Sequence, residues 1–226
     1  MASNNTNPEE HNAVEVLNEN LTNVGRAVAT NTRAIYVAFG ALILIAALTL
    51  GYIYLIHNPK SEKAYEAYNK VEMTAMGNDS IAAAEYAKVA DNYSGTPAKL
   101  AQLGAAEALY NLGKYKEAAA RLEKFSSKDK VLDANAAALL GDCYVNLKQY
   151  DKAIDAFNRA IKASEANPQI APRVLLKEAV VFDAQKKYDK ALECYENINK
   201  NYPEFKLGNG LDVNAYIERE KARLGK

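Results

Sequence analysis

The hydrophobic pattern of this chain has two parts, a continuous apolar run and a long stretch of helical periodicity after it. Residues 34–56 include no Asp, Glu, Lys, Arg, His, Asn or Gln. As a helix that rises about 1.5 Å per residue, this run is roughly 34 Å long, slightly more than the ~30 Å hydrocarbon core of a bilayer. Tyrosines stand near both of its ends, where aromatic rings favour the headgroup region. The run predicts a single transmembrane helix, which Asn58-Pro59 would end.

A retained membrane anchor explains this run better than two alternatives. A secretory signal has an apolar core of about 7–15 residues and a small-x-small cleavage site, whereas here 33 residues precede a longer run. A buried core helix would need more apolar surface than the rest of the chain offers. Positive charge leaves the orientation open, because Arg26 and Arg33 precede the run and Lys60, Lys63 and Lys70 follow it.

The first 33 residues predict a polar tail with one heptad-like segment. Residues 1–12 are Asn-rich, and we expect them to be disordered. Apolar residues then recur at spacings of three and four, which places them on one face of a helix: Val14, Leu17, Leu21, Val24 and Val28. This face predicts either a helix that lies on the membrane surface and continues into the span, or a homodimer or partner contact.

From Pro59 onward the chain is rich in Ala and Tyr, and it repeats itself. Tyr115, Tyr150 and Tyr188 stand in three similar segments, GKYKEAAARL, KQYDKAIDAF and KKYDKALECY. Another segment with helical periodicity precedes each of them. Because Ala-rich helices of this kind cannot bury a face alone, the pattern predicts helix pairs that stack into a common core.

Each predicted helix pair has small residues where its helices cross and large residues beside them. The small residues are Ala106, Gly141 and Ala179 in the first helices and Ala118, Ala153 and Ala191 in the second helices. The large residues are Leu109, Tyr144, Phe182, Leu122, Phe157 and Tyr195. We expect the tyrosine at each turn to pack its ring between the two helices.

This pattern resembles the tetratricopeptide repeat. The best unit carries Leu140, Gly141, Tyr144, Tyr150, Ala153 and Phe157, and Pro203 stands where that family has a helix-stopping proline. The resemblance implies an all-α fold, in which a right-handed α-solenoid at 60–226 follows the single transmembrane helix. Its units would be a degenerate repeat at about 60–96, repeats at 97–129, 130–167 and 168–203, and a capping helix at 211–224 with Asp212 as N-cap.

The resemblance also implies a concave groove lined by the first helices. The candidate groove residues are Leu103, Glu107, Tyr110, Ala138, Asp142, Val145, Asn146, Arg173, Leu176, Val180 and Asp183. They mix apolar and weakly acidic groups, and each of them can equally be ordinary solvated helix surface. Chaperone-tail-binding members of the family grip a terminal carboxylate with a basic and Asn clamp, which Glu107 and Asp142 oppose here. Binding of an extended or helical peptide stays open, although the sequence names no motif for it.

Composition and residue types exclude several classes of function. The chain has 28 basic and 28 acidic residues and no basic block, which does not suit a nucleic-acid binder. Its only histidines are His11 and His57, so His triads and the common zinc sites are excluded from the repeat region. We expect no enzyme activity, cofactor or metal site. Cys143 and Cys194 lie among apolar neighbours and are expected core residues, with a disulfide possible outside the cytoplasm.

The whole architecture resembles the YfgM-like family, bacterial inner-membrane proteins described as ancillary subunits of the SecYEG translocon. The segment VEVLNENLTNVGRAVATNTRAI and the passage DSIAAAEYAKVADNYSGTPAKLAQLGAAEAL carry this resemblance. It implies a cytoplasmic tail and a periplasmic repeat domain beside the Sec translocon, acting with chaperones on exported chains. Two alternatives stay open: a scaffold of another envelope complex, such as an outer-membrane assembly or division accessory, and a docking module that faces the cytoplasm.

Overall fold

The helices of this protein follow the two parts of its hydrophobic pattern. The computed structural model describes residues 22, 32–53, 58–207 and 212–226 and shows no β-strand within them. The predicted all-α class is confirmed. The helices in this part of the chain are α1 (Thr32–Tyr52), α2 (Asn58–Thr74), α3 (Asp79–Asn92), α4 (Gly95–Asn111), α5 (Tyr115–Leu122), α6 (Lys130–Asn146), α7 (Tyr150–Ala163), α8 (Ala171–Ala184), α9 (Tyr188–Asn201) and α10 (Val213–Arg223).

The apolar run forms α1. This helix has 21 residues, which gives a length of about 32 Å. Its most apolar window has a mean hydropathy of 2.3, and none of that window is buried. By length and composition α1 could therefore cross a bilayer. It begins two residues before the predicted start at residue 34, and residues 54–57 lie outside the described part of the chain.

The chain divides into two compact units, Met1–Pro59 and Lys60–Lys226. Pro59 is the second residue of α2, so it lies in a first turn, where its missing N–H removes no helical hydrogen bond. From the sequence, Pro59 was predicted only to end the preceding helix. The heptad-like residues Val14, Leu17, Leu21, Val24 and Val28 lie outside the described residues.

Helices of the second unit pack against their neighbours in chain order from α3 to α10, and α4 also contacts α6. Polar caps set several of their starts. The Asn78 side chain accepts a hydrogen bond from the Ile81 amide at 3.1 Å, and the Asp212 side chain accepts one from the Asn214 amide at 3.1 Å. Side chains of this type satisfy amides that a helix N-terminus leaves unpaired. Asp212 is thus the N-cap that the sequence predicts for the last helix.

The same turn joins the two helices in three units. A residue with positive φ ends each first helix: Gly113 (φ 72°), Lys148 (φ 58°) and Lys186 (φ 59°). The next amide donates to the carbonyl five residues earlier, in the pairs Lys114–Leu109, Gln149–Tyr144 and Lys187–Phe182 at 2.8–2.9 Å. This is a Schellman-type ending, in which glycine avoids the steric cost of a left-handed conformation. Each turn leads directly into Tyr115, Tyr150 or Tyr188, the first residues of α5, α7 and α9.

Buried residues form three clusters along the solenoid. One joins α2, α3 and α4 around Val71 and Val89, the central one spans α4 to α8 around Phe157, and the last joins α8, α9 and α10 around Tyr195. The small residues predicted at the helix crossings all lie buried: Ala106, Ala118, Gly141, Ala153, Ala179 and Ala191. The core is therefore built unit by unit, as in other stacked-repeat proteins.

Candidate groove on the first helices

The first helices of successive units are linked by a row of polar contacts on one face. The Asn146 side chain in α6 donates to the Tyr110 hydroxyl in α4 at 3.1 Å. Lys177 in α8 donates to Asp142 in α6 at 2.5 Å. These contacts place Tyr110, Asp142 and Asn146 on a shared surface, which we name the first-helix groove. That Tyr110, Asp142 and Asn146 bind a partner stays a prediction.

Asp142 is already neutralised by its own chain. Burial raises the pKa of its carboxyl group, while the Lys177 ammonium opposes that shift. Only about a fifth of the Asp142 side chain is exposed, at 21%. Lys177 reaches across from the next unit and offsets, at this point, the weakly acidic character that the sequence suggested for part of the groove.

The end of the groove nearest the N-terminus is a separate pocket of about 330 Å³. It lies between α2, α3 and α4, and its polar and aromatic lining consists of Tyr68, Glu72, Asp79, Tyr86, Glu107 and Asn111. Leu103 lines it as well, so two predicted groove residues, Leu103 and Glu107, come together here. The sequence missed Tyr68, Glu72 and Tyr86. Aligning the degenerate first unit on Ala82 does not find Tyr68 and Glu72, because they then correspond to Gly104 and Ala108, which are not predicted groove positions.

The other predicted groove residues differ in their exposure and in what they contact. Val180 follows Ala179 in α8 as Asp142 follows Gly141 in α6. Val180 is 54% exposed, whereas Ala138 is buried at 8% exposure and offers little surface to a partner. Val145 packs against the central core cluster and Leu176 against the last one. Arg173 lines a different pocket, with Asn201 and residues 202–206 at the end of α9. Arg173 therefore lies apart from the polar row.

At the far end of the groove the last helix covers Asp183. Arg219 of α10 donates to Asp183 at 3.0 Å, and Arg223 donates to its other oxygen. Glu220 is fully buried and pairs with Arg219 at 2.7 Å and with Arg223 at 3.3 Å. These charges attach α10 to α8.

Tyrosine rings complete the contacts of these arginines. The Arg219 guanidinium lies 4.9 Å from the centre of the Tyr216 ring, and the Arg223 guanidinium lies 5.0 Å from the centre of the Tyr188 ring. Such cation–π contacts are typical of guanidinium groups over aromatic faces. A carboxylate together with tyrosine rings thus holds arginine at this end of the groove.

The second-helix side carries a larger groove of about 850 Å³ between α3 and α5. Alanines form most of its α3 wall, including Ala83, Ala87 and Ala90. Ile154 and Ile161 occupy the positions in α7 that correspond to Ala83 and Ala90, and they pack against two core clusters. The groove is open because methyl groups replace these larger side chains. Its rim mixes charges of both signs, so it indicates no particular partner.

Three ionisable groups are buried away from either groove. Glu178 in α8 is 5% exposed and accepts a hydrogen bond from Asn158 at 3.3 Å, and burial raises the pKa of its carboxyl group. Cys143 and Cys194 are free and buried. Burial raises the pKa of both thiols to about 12, so neither is a nucleophile near neutral pH.

No group of three His, Cys, Asp or Glu side chains that could hold a metal ion occurs within residues 32–53, 58–207 and 212–226. What the geometry offers is extended surface: a groove along the first helices, acidic and aromatic at one end and closed by α10 at the other. Such a surface can recognise a chain segment.

Comparisons with known proteins agree on the repeat fold. Residues 103–168 and 173–204 each match a family model described as tetratricopeptide repeat. Together with the stacked helix pairs, these matches define a tetratricopeptide-repeat solenoid, a class of protein-interaction scaffold. The fold predicted from the sequence is confirmed.

Solved structures of MamA share this fold. A crystal structure of MamA protein has a TM-score of 0.57 at 23% identity, covering 74% of this chain and 84% of that chain. A second MamA crystal structure has a TM-score of 0.54 at 24% identity, with 67% and 81% covered. A MamA RS-1 double mutant has a TM-score of 0.54 at 16% identity, with 72% and 86% covered. A comparison with curated proteins of known function found no match.

Proposed function

We propose that this protein is a non-enzymatic scaffold that α1 anchors in a bacterial inner membrane, and that its first-helix groove binds segments of other proteins. The repeat domain would lie in the periplasm beside the Sec translocon and assist exported chains together with chaperones. The observation that carries the anchoring is α1 itself, an apolar helix of 21 residues that is exposed throughout its most apolar window. The resemblance to the YfgM-like family supports the orientation and the Sec partner.

The first test is protease accessibility of the full chain, produced with a C-terminal epitope in a Gram-negative bacterium. In spheroplasts, external protease should remove the epitope while a cytoplasmic marker stays intact. Protection of the epitope until the cells are lysed would place the repeat domain in the cytoplasm and overturn the proposal.

The second test is photo-crosslinking from within the groove. A photoreactive amino acid at Val180, which is 54% exposed on α8, should capture Sec channel subunits or exported chains. The matched control is the same group at Ala120, an exposed residue that lines the α3–α5 groove on the other side. Equal capture at both positions would refute a role for the first-helix groove. Capture of outer-membrane assembly or division proteins at Val180 would contradict the Sec assignment.

A further inference from the structure

The pocket at the N-terminal end of the first-helix groove is acidic and aromatic, and its lining includes no Lys, Arg or His. Its three carboxylates belong to Glu72, Asp79 and Glu107. Among the described residues, the carboxylates of Glu72 and Asp79 accept hydrogen bonds from neutral donors. The Tyr68 hydroxyl donates to Glu72 at 2.7 Å, and the Asn111 side chain donates to Asp79 at 3.2 Å.

Two tyrosine rings form one side of the same pocket. The Tyr68 and Tyr86 rings are 5.5 Å apart and inclined by 32°. The face of an aromatic ring carries negative electrostatic potential, so rings and carboxylates both favour a cation here. The pKa of the Tyr86 hydroxyl is raised, mainly by burial and next by the charge of Glu72, which agrees with a negative local potential.

Elsewhere on this face, the chain itself supplies the cation. Glu107 follows Ala106 as Asp142 follows Gly141 in the next unit, and Asp142 holds the ammonium group of Lys177 at 2.5 Å. Asp183, two units further than the pocket, holds Arg219 and Arg223, whose guanidinium groups also lie over tyrosine rings. The pocket at the N-terminal end of the groove also combines carboxylates with tyrosine rings, but among the described residues no basic side chain lines it.

We propose that this pocket receives a lysine or arginine side chain from a partner protein whose basic segment lies in the first-helix groove. The proposal rests on the proposed function, since it names the chemistry of the segment bound by that groove. A volume of about 330 Å³ suits a single long side chain with part of its backbone. The occupant carries its charge on a flexible stem that can reach between α2 and α4, whereas a bare metal ion would need three clustered ligands, which the described residues do not offer.

The test uses the full chain in a non-ionic detergent and a fluorescein-labelled decapeptide of alternating Ala and Arg with blocked ends. Its matched probe has citrulline in place of each Arg, which keeps the shape of the side chain and removes its charge. Fluorescence anisotropy should show binding of the arginine peptide, at least tenfold weaker binding of the citrulline peptide, and loss of affinity with added salt because the contact is electrostatic.

The decisive variant is Glu72→Gln combined with Glu107→Gln, which should weaken binding of the arginine peptide at least tenfold. Its control is Glu117→Gln, a carboxylate on the α3–α5 side that should leave binding unchanged. Circular dichroism and Tm establish that each variant is folded, and Tyr86→Leu provides a second variant that keeps every charge and should also weaken binding. Equal binding of both peptides, or an equal loss in the Glu117→Gln control, would overturn the proposal.

Failure of this proposal is distinguishable from failure of the proposed function. If Val180 captures partners in cells and the double variant captures them equally well, the groove is functional and the proposal that the pocket between α2, α3 and α4 (hereafter the cation pocket) binds a basic side chain is wrong. If Val180 captures no partner while the arginine peptide binds the purified chain in the predicted way, the pocket stands and the cellular function is wrong.

Discussion

A side chain at residue 141 cannot fit without displacing Phe157, and Gly141→Ala tests this packing. A Cβ atom at Gly141 would lie 2.3 Å from Cε1 and 2.5 Å from Cδ1 of the Phe157 ring. Ordinary contacts between carbon atoms are about 3.5–4.0 Å, so the ring would have to move by about 1 Å or more. Phe157 is fully buried, and protein interiors are packed too densely to absorb such a shift.

The expected loss follows from two opposing terms. Overpacking of this kind costs about 1–3 kcal/mol, and we expect the upper end because the Phe157 ring is enclosed on all sides. Replacing Gly by Ala inside a helix recovers about 1 kcal/mol. The free energy of unfolding should therefore fall by about 2 kcal/mol, which corresponds to a decrease in Tm of about 4–8 °C for a domain of this size.

Urea unfolding of the full chain in detergent, followed by circular dichroism, measures this loss. Gly104→Ala is the matched control, because Gly104 is also inside a first helix but its Cβ would meet the half-buried Tyr86 ring at 3.0 Å. That ring can shift, so the control should be neutral or more stable by up to about 1 kcal/mol. Equal stability of the two alanine variants would refute the reasoning. Adding Phe157→Leu to Gly141→Ala should restore part of the loss.

Three further outcomes follow from the buried groups. Because burial raises the pKa of Glu178, its stabilising contribution is complete below the unfolded pKa and is lost as the pH rises through the folded pKa. In urea unfolding, the free energy of unfolding of Glu178→Gln should thus exceed that of the wild type by about 1 kcal/mol at pH 8 and by less at pH 5. Cys143 and Cys194 should resist a thiol reagent at pH 8 until urea unfolds the chain, whereas rapid native labelling would contradict their burial. Arg219→Met should destabilise by about 3 kcal/mol, since it leaves the buried Glu220 with a weaker partner, and hydrogen exchange should rise first in α10.

The sequence predicted those features of the fold that depend on spacing along one helix or one turn. The tyrosines at 115, 150 and 188 each begin a second helix, because a fixed turn follows a helix of nearly constant length. Gly141 meets Phe157 because the crossing of two helices requires one small partner. Each of these relations is local to one unit, and the same residue pattern recurs in several units of the sequence.

The candidate groove was less predictable because its charges pair between units. Nothing in the local pattern of α8 indicates that Lys177 reaches Asp142, or that Arg219 of the last helix reaches Asp183. Helical periodicity also predicts an apolar residue at Glu178, since Leu140 has that position in the preceding unit. Such long-range pairs decide which carboxylates remain unneutralised, so the cation pocket became visible only in three dimensions.

One recurrent position links consecutive units by a polar contact. Glu123 directly follows α5 and is the ninth residue counted from Tyr115; it accepts a hydrogen bond from Tyr144 of the next unit at 2.5 Å. Asn158 is the ninth residue of α7 and donates to Glu178 of the next unit at 3.3 Å. One member of each pair, Tyr144 or Glu178, is buried, and buried polar groups are best supported as devices that set register. We infer that they fix how each unit sits on the next.

The first unit lacks this polar contact, and that difference accounts for the α3–α5 groove. The ninth residue of α3 is Ala87, which has no group to donate or accept. Because α3 and α7 have the same length of 14 residues, the length of α3 does not explain the opening. Side-chain size explains it, because α3 has only the methyl group of Ala87 at the position where Asn158 of α7 bridges to the next unit. The first unit therefore joins the solenoid through apolar contacts around Val89, the Tyr86 ring beside Gly104 and the Asn111–Asp79 hydrogen bond. Both of its grooves are spaces that its own side chains leave unfilled.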